Sequence, residues 1–124
     1  MVHVNSYREL EVYKLARELS IEIFETSKGF PREEMFSLTD QIRRCSRSVG
    51  AQIAEAWAKR RYIKHFISKL TDSDGEQQET QHWIETACDC KYIRDSLKNN
   101  WIERYETIGK MLNSMINKAD SFCS

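Results

Sequence analysis

Apolar side chains recur every three or four residues through the central run from Leu38 to Ile93, and this run contains no proline. Such spacing places apolar residues along one face of an α-helix. Proline and glycine are the residues that most strongly interrupt helices, and the whole chain has one proline and four glycines. The sequence therefore predicts an all-α protein, and its 124 residues suffice for one domain with its own core.

Four apolar stripes predict four helices, at about residues 7–27, 33–59, 63–92 and 98–119. The first is expected to end at Gly29 and Pro31, because glycine suits the left-handed residue after a helix and proline cannot continue the helix. Neither residue type separates the second stripe from the third, and we expect the break near Arg60 to Ile63. Amphipathic helices of this length with short connections predict an antiparallel up-down-up-down four-helix bundle over residues 1–124.

The third stripe differs from the others because it is polar at its centre. Its members Ser73, Gln77 and Gln81 need hydrogen-bond partners if they are buried, since an unpaired buried amide costs roughly 1–3 kcal/mol. The predicted core residues of the first three helices are Val12, Ala16, Leu19 and Ile23, then Leu38, Ile42, Cys45, Val49, Ile53 and Ala56, then Phe66, Leu70, Ser73, Gln77, Gln81, Ile84 and Cys88.

Charge is balanced overall but segregated along the chain. The 19 basic and 19 acidic residues give a formal net charge of zero. Residues 41–69 hold eight Lys and Arg against Glu55 alone, whereas residues 70–90 hold six Asp and Glu and no Lys or Arg. We therefore expect the second and third helices to carry outer faces of opposite charge.

Those two outer faces also carry unusual side chains. On helix two, small residues continue the face of Arg43 and Arg47, where a solvated helix normally carries long polar side chains. On helix three, a tryptophan among carboxylates is a candidate interface anchor. We predict a homo-oligomer in which the basic face of one copy meets the acidic face of another, a contact that closes into rings or continues as filaments. The alternative is two ordinary solvated faces, with the tryptophan partly covered by a loop. The candidate interface residues are Gly50, Ala54, Ala58, Asp72, Glu76, Glu79 and Trp83.

A basic cluster at the expected turn between helices two and three indicates a second function. It mixes cations with Tyr62, a combination that suits phosphate contacts and base stacking. Two observations favour an ordinary helix end instead. The sequence pI of about 6.8 is below that of dedicated nucleic-acid binders, and cations stabilise helix C-termini. The candidate nucleic-acid contacts are Arg43, Arg44, Arg47, Lys59, Arg60, Arg61 and Lys64.

The motifs of common enzymes and cofactor sites are missing from the sequence. The glycines stand alone, so no glycine-rich loop is present to cradle a phosphate. A single Glu79-x-x-His82 falls short of the two such units in a di-metal bundle. We predict a non-enzymatic protein with no catalytic residues, metal, cofactor or small-molecule substrate, and with reduced cysteines. Because no apolar run approaches about 20 residues and no signal peptide is evident, we expect a cytoplasmic protein without membrane contact.

Two segments of the chain resemble a known family. Residues 30–44 read FPREEMFSLTDQIRR and residues 48–56 read SVGAQIAEA. They are similar to the motifs F-P-x-E-E-x-x-x-L-x-x-Q-I-R-R and S-I-x-x-N-I-A-E-G of four-helix-bundle proteins encoded within intervening sequences of bacterial 23S rRNA genes. The run ETQHW at residues 79–83 resembles a branch with an E-T-Q-x-W signature, and the resemblance extends over residues 7–118.

The resemblance implies an up-down bundle that assembles as a closed ring, with pentamers among relatives. A related branch, the accessory proteins of diversity-generating retroelements, binds nucleic acid and reverse transcriptase through a basic surface. By motif match Arg43, Arg44 and the Ile53–Glu55 segment are family positions without an established chemical role. Gln52 and Ala56 stand where the motif has Asn and Gly, so helix two is expected to run further. The leading prediction is an oligomeric binding or scaffolding module, and the alternative is an RNA- or DNA-binding accessory protein.

Overall fold

The computed structural model describes residues 4–123, which form four long helices joined by short connections. The ends of the predicted domain, residues 1–3 and residue 124, lie outside the described part. Single 3₁₀ turns at Tyr7–Glu9 and Arg32–Glu34 precede the first and second long helices. The helices are α1 Glu11–Ser27, α2 Leu38–Ala58, α3 Ile63–Asp89, α4 Asp95–Asn117 and the short α5 Ala119–Phe122.

Each long helix packs against the next one in the chain, and α4 returns to α1 to close the bundle. The connections are too short to carry the chain back along the bundle, so successive helices run in opposite directions. The most extensive contact joins α2 and α3. Residues 4–123 contain no β-strand. The prediction of an all-α, antiparallel up-down-up-down four-helix bundle is confirmed.

The helix ends differ from the expected bounds where local hydrogen bonds form separate turns. Ser6 and Glu9 form a capping box around a 3₁₀ turn, and the extended Leu10 separates that turn from α1. The α3 helix ends at Asp89 because Lys91 takes the left-handed conformation, with φ 67°. The Tyr92 N–H then donates to the Ala87 carbonyl at 2.9 Å, which closes the helix end without a glycine.

The core follows the apolar stripes closely in α1 and α2 and less closely in α3. Every predicted core residue of the first two helices is buried. In α3 the buried positions are Phe66, Leu70, Ser73, Gln77, Thr80, Ile84 and Ala87. The predictions for Gln81 and Cys88 are wrong, because both are only half-buried. The inward positions alternate strictly by four and three residues, as in a coiled-coil seam, and this places Thr80 and Ala87 inside instead.

The polar centre of α3 finds its hydrogen-bond partners, as the sequence required. The Ser73 hydroxyl donates to the Val49 carbonyl at 2.8 Å, which ties α3 to α2. The Gln77 amide donates to Asp74 at 2.9 Å and accepts from Gln81 at 2.7 Å. A Cβ at Gly109 would lie 2.9 Å from the Gln77 amide nitrogen, so the glycine in α4 makes room for this polar layer.

Candidate assembly surface and basic cluster

The outer face of α2 begins with arginines that stack on α1. The guanidinium groups of Arg43 and Arg47 lie 4.8 and 5.3 Å from the ring centre of Phe24. The Arg43 Nε also donates to the Ser27 hydroxyl at 2.8 Å. Arg43 is therefore fixed against α1, whereas Arg47 makes no ion pair within residues 4–123 and is exposed.

The small residues after these arginines do not form one open strip. The expectation that Gly50 continues the outer face is wrong for the single chain, because Gly50 is buried beneath Tyr13 of α1. A Cβ at Gly50 would meet the Tyr13 ring at 3.5 Å. Ala54 is half-buried and Ala58 is exposed. The sequence periodicity could not show this, since α1 covers part of the face that lies opposite the α3 contact.

Two grooves flank this face of α2. The first, of about 300 Å³, lies between α1 and α2 and is lined by Tyr7, Tyr13, Gly50 and Ala54 among others. The second, of about 610 Å³, runs along α2 from Met35 past the arginines to Ala51. The α2 helix continues through Gln52 and the fully buried Ala56 to Ala58.

An apolar pair beside the second groove was not predicted from the sequence. Phe36 is 90% exposed and Met35 is 50% exposed. They lie in the connection between the 3₁₀ turn Arg32–Glu34 and α2, off every apolar stripe. Their position directly before the start of α2 was the available signal, because an apolar pair in a short connection has no core face to occupy.

The acidic face of α3 is partly satisfied within the same chain. The Glu79 carboxylate accepts from Arg44 of α2 at 3.1 Å and from the Trp83 indole at 3.0 Å. Arg44 and Glu79, which the sequence assigned to the basic and acidic faces, are thus neighbours on one molecule. Asp72 is exposed, whereas one oxygen of the half-buried Glu76 is enclosed without a hydrogen-bond partner. Trp83 is half-buried against the core.

The seven basic residues form two groups rather than one surface. Arg60 stacks on Trp57 at 3.7 Å and donates to its carbonyl oxygen at 2.9 Å, so this guanidinium is held at the end of α2. Lys59, Arg61 and Lys64 are exposed around Tyr62, which is 59% exposed. Arg47 and Arg60 are separated by roughly 20 Å along the helix axis, at 1.5 Å per residue.

Burial and hydrogen bonding raise the pKa of two cysteine thiols, Cys45 and Cys88. Burial raises the pKa of Cys45 to about 11, where its thiol accepts from the Thr80 hydroxyl at 3.2 Å. The hydrogen bond to Asp95 raises the pKa of Cys88. Within residues 4–123 no three His, Cys, Asp or Glu side chains lie close enough to hold a metal ion. None of the helices in that part of the chain is long and apolar enough to cross a membrane.

These features define the class as an antiparallel four-helix-bundle protein with an arginine-rich, grooved outer helix. The model of the 23S rRNA-intervening sequence protein family matches residues 8–114, and the chain belongs to this family. It is similar to a crystal structure of a protein with unknown function from the S23 ribosomal protein family of Bacteroides thetaiotaomicron VPI-5482. The two chains are 29% identical, with a TM-score of 0.77 over 86% of this chain and 95% of that one. A comparison with curated proteins finds no match.

Proposed function

We propose that the protein is a cytoplasmic, non-enzymatic binding or scaffolding module that works as a homo-oligomer. In this proposal the outer face of α2 forms one half of the contact between copies. The observation that carries it is the groove of about 300 Å³ between α1 and α2, which small side chains keep open. A solvated helix surface gains nothing from such a groove, whereas a docking surface needs concave shape for close packing.

Charge supports the same surface. Arg17 and Arg47 line the groove, and neither makes an ion pair within residues 4–123. Two such cations attract an acidic surface and orient its approach. The resemblance to ring-forming bundle proteins implies a closed ring, with a pentamer as the expected size. The second half of the contact remains the prediction made from sequence, the α3 face with Asp72 and Trp83.

The mass of the particle in solution tests the proposal. We expect multi-angle light scattering of the wild-type chain to give a multiple of 14.7 kDa. Ala54→Glu places a carboxylate in the groove and is expected to return the mass to that of one chain. Asn113→Glu adds the same group to the exposed side of α4, away from α2, and serves as the control that keeps the oligomer. A wild-type particle of a single chain would overturn the proposal.

A separate variant tests whether the α3 face is the second half of the contact between copies. Trp83→Glu is expected to lower the mass in the same way if the Trp83 face is the second surface. Because Trp83 also packs on the core, circular dichroism must show that the variant keeps its helices. An unchanged mass for Trp83→Glu alongside a lowered mass for Ala54→Glu would assign the second surface to another part of the molecule.

A second candidate function is nucleic-acid binding, favoured by the exposed cations at the α2–α3 turn. Lys59, Arg61 and Lys64 have no carboxylate partner within residues 4–123, and the exposed Tyr62 ring among them offers a stacking surface. This arrangement suits a single strand, in which phosphates and bases are both accessible.

Fluorescence anisotropy of a labelled single-stranded RNA at several salt concentrations tests this candidate. Replacing all three cations with glutamine is expected to lower the slope of log K against log salt by about 0.7 for each lost phosphate contact. The control replaces Arg94, Lys110 and Lys118, three exposed cations outside α2 and α3, with glutamine. Equal losses in both triple variants, or no binding at low salt, would contradict a specific basic site.

A further inference from the structure

The connection before α2 presents an apolar knob with acidic flanks. Phe36 is 90% exposed, and Met35 beside it is 50% exposed. Single exposed apolar side chains are common on proteins, but two adjacent ones with a fully projecting ring form a candidate anchor. Glu33 and Asp40, on either side of the pair in sequence, are exposed and make no ion pair within residues 4–123.

The groove between α1 and α2 has the size and lining to hold an aromatic ring. Its volume is about 300 Å³, and an apolar cavity of roughly 150 Å³ already accepts a benzene molecule. Tyr7 and Tyr13 form one wall, with ring centres 4.9 Å apart in an edge-to-face arrangement. A third ring can continue this edge-to-face packing. Ala54 lines the α2 side of the groove, next to Gly50, which already contacts the Tyr13 ring.

The charges around the knob and the groove are complementary. The groove carries Arg17 and Arg47, which have no carboxylate partner within residues 4–123. Residues 32–40 around the knob carry Glu33, Glu34 and Asp40 against Arg32 alone, a formal net charge of −2. One chain therefore contains an apolar anchor of net negative charge and a receptor with two guanidinium groups that have no ion-pair partner within residues 4–123. A chain cannot fill its own groove, because Phe36 and Gly50 are separated by roughly 20 Å along the axis of α2.

We propose that Phe36 of one copy inserts into the α1–α2 groove of a second copy, with Glu33 and Asp40 facing Arg17 and Arg47. This inference rests on the proposed homo-oligomer, and it assigns Phe36, in place of the α3 face, as the part of the second copy that the groove receives. Because the two surfaces differ, the contact is head-to-tail, and each copy uses its knob and its groove with different neighbours. Such contacts continue until a ring closes.

Two single variants and their mixture test the proposal by light scattering and native mass spectrometry. Phe36→Glu removes the knob, and Ala54→Glu blocks the groove. Each alone is expected to weaken association by about 30-fold or more, the loss typical of a buried aromatic anchor. Mixed together, the two variants are expected to form 1:1 dimers, because one supplies an intact groove and the other an intact knob. The double variant is expected to remain a single chain in every mixture.

The matched control is Ile21→Glu, since Ile21 is another exposed apolar residue, at 51%, on α1. This variant should keep the wild-type mass. Loss of assembly in Ala54→Glu but not in Phe36→Glu would contradict the insertion of Phe36 into the groove, while the proposed homo-oligomer would still hold. Two variants that both dissociate but never form the 1:1 dimer would also contradict that insertion. A wild-type protein that is already a single chain would overturn both proposals.

Discussion

The bundle contains two clusters built from the same three residue types, on seams that do not adjoin. The α1–α4 triad consists of Glu22, Trp101 and Arg104, and the α2–α3 triad consists of Glu79, Trp83 and Arg44. In each, one carboxylate accepts from an indole N–H and from a guanidinium. The chemistry is shared, so differences in burial and geometry decide what each triad contributes.

The α1–α4 triad is the more tightly built. Arg104 donates hydrogen bonds to both oxygens of Glu22, from Nη1 to Oε1 at 2.8 Å and from Nη2 to Oε2 at 2.6 Å. Trp101 is fully buried. Arg44 instead makes one bond to Glu79, at 3.1 Å, and its side chain is 52% exposed against 23% for Arg104. Bidentate, partly desolvated pairs are the strong ones. We infer that the first triad stabilises the fold, whereas the second lies on a face left available for contacts.

The largest effect is expected from truncating the two tryptophans. Trp101→Ala leaves a cavity in the core and is expected to lower the free energy of unfolding by about 3–5 kcal/mol. Trp83→Ala removes a half-buried ring, for which about 1–2 kcal/mol is expected from its smaller buried area. Urea unfolding followed by circular dichroism measures both. Equal losses would contradict the conclusion that the α1–α4 triad contributes more to the stability of the fold than the α2–α3 triad.

The next effect concerns the charge pair of the α1–α4 triad. Arg104→Met keeps much of the side-chain length but leaves Glu22 with the Trp101 N–H as its remaining strong partner. We expect a loss of about 1–3 kcal/mol, the range for an unsatisfied, partly buried charged group. Arg104→Lys should recover part of it, because lysine keeps the charge but lacks the bidentate fork. Full recovery by lysine would show that charge alone matters at this seam.

The pH dependence of stability tests how much the Glu22 charge contributes to the fold. The hydrogen bond from Arg104 holds the pKa of Glu22 below its ordinary value of 4.5. A carboxyl group with a lowered pKa in the folded state stabilises the protein fully above 4.5 and loses this contribution as the pH falls through the folded pKa. We therefore expect the difference in the free energy of unfolding between wild type and Glu22→Gln to shrink as the pH falls. Urea unfolding at pH 7 and at successively lower pH below 4.5 measures it. A constant difference would contradict the assigned role of the Glu22 charge.

Local patterns predicted much of the fold, and long-range pairing explains what they missed. The stripe Val12, Ala16, Leu19 and Ile23 specified the buried face of α1 because helical periodicity acts over a few residues. Glu22 and Trp101 are 79 residues apart, and no spacing rule brings them together. The covering of Gly50 by Tyr13 depends on how α1 lies against α2, which a helical wheel of α2 alone does not contain.

The predicted site illustrates the same limit. Segregated charge along the chain corresponds only in part to the helices: Arg43, Arg44 and Arg47 lie on α2, whereas Lys64 and Lys69 lie on α3 with the acidic residues. The two helices are also neighbours, so Arg44 and Glu79 meet within one chain. The exposed Phe36 was not predicted because it stands outside every apolar stripe, and only residues that repeat along a stripe indicate a helix face. Its position directly before α2 was the one local signal, whereas the degree of its exposure is set by tertiary packing.

The smallest effect is expected at the Arg44–Glu79 pair, measured by a double-mutant cycle with Arg44→Met and Glu79→Gln. An exposed, single-bonded pair typically couples by about 0.2–1 kcal/mol. The same cycle on Arg104→Met and Glu22→Gln should give a larger coupling, because that pair is bidentate and less solvated. Measuring at two protein concentrations separates folding from association, since an oligomer makes apparent stability rise with concentration. A coupling between Arg44 and Glu79 that grew with protein concentration would show that a neighbouring copy covers the α2–α3 seam and excludes water from it. The pair would then be weak only in the single chain.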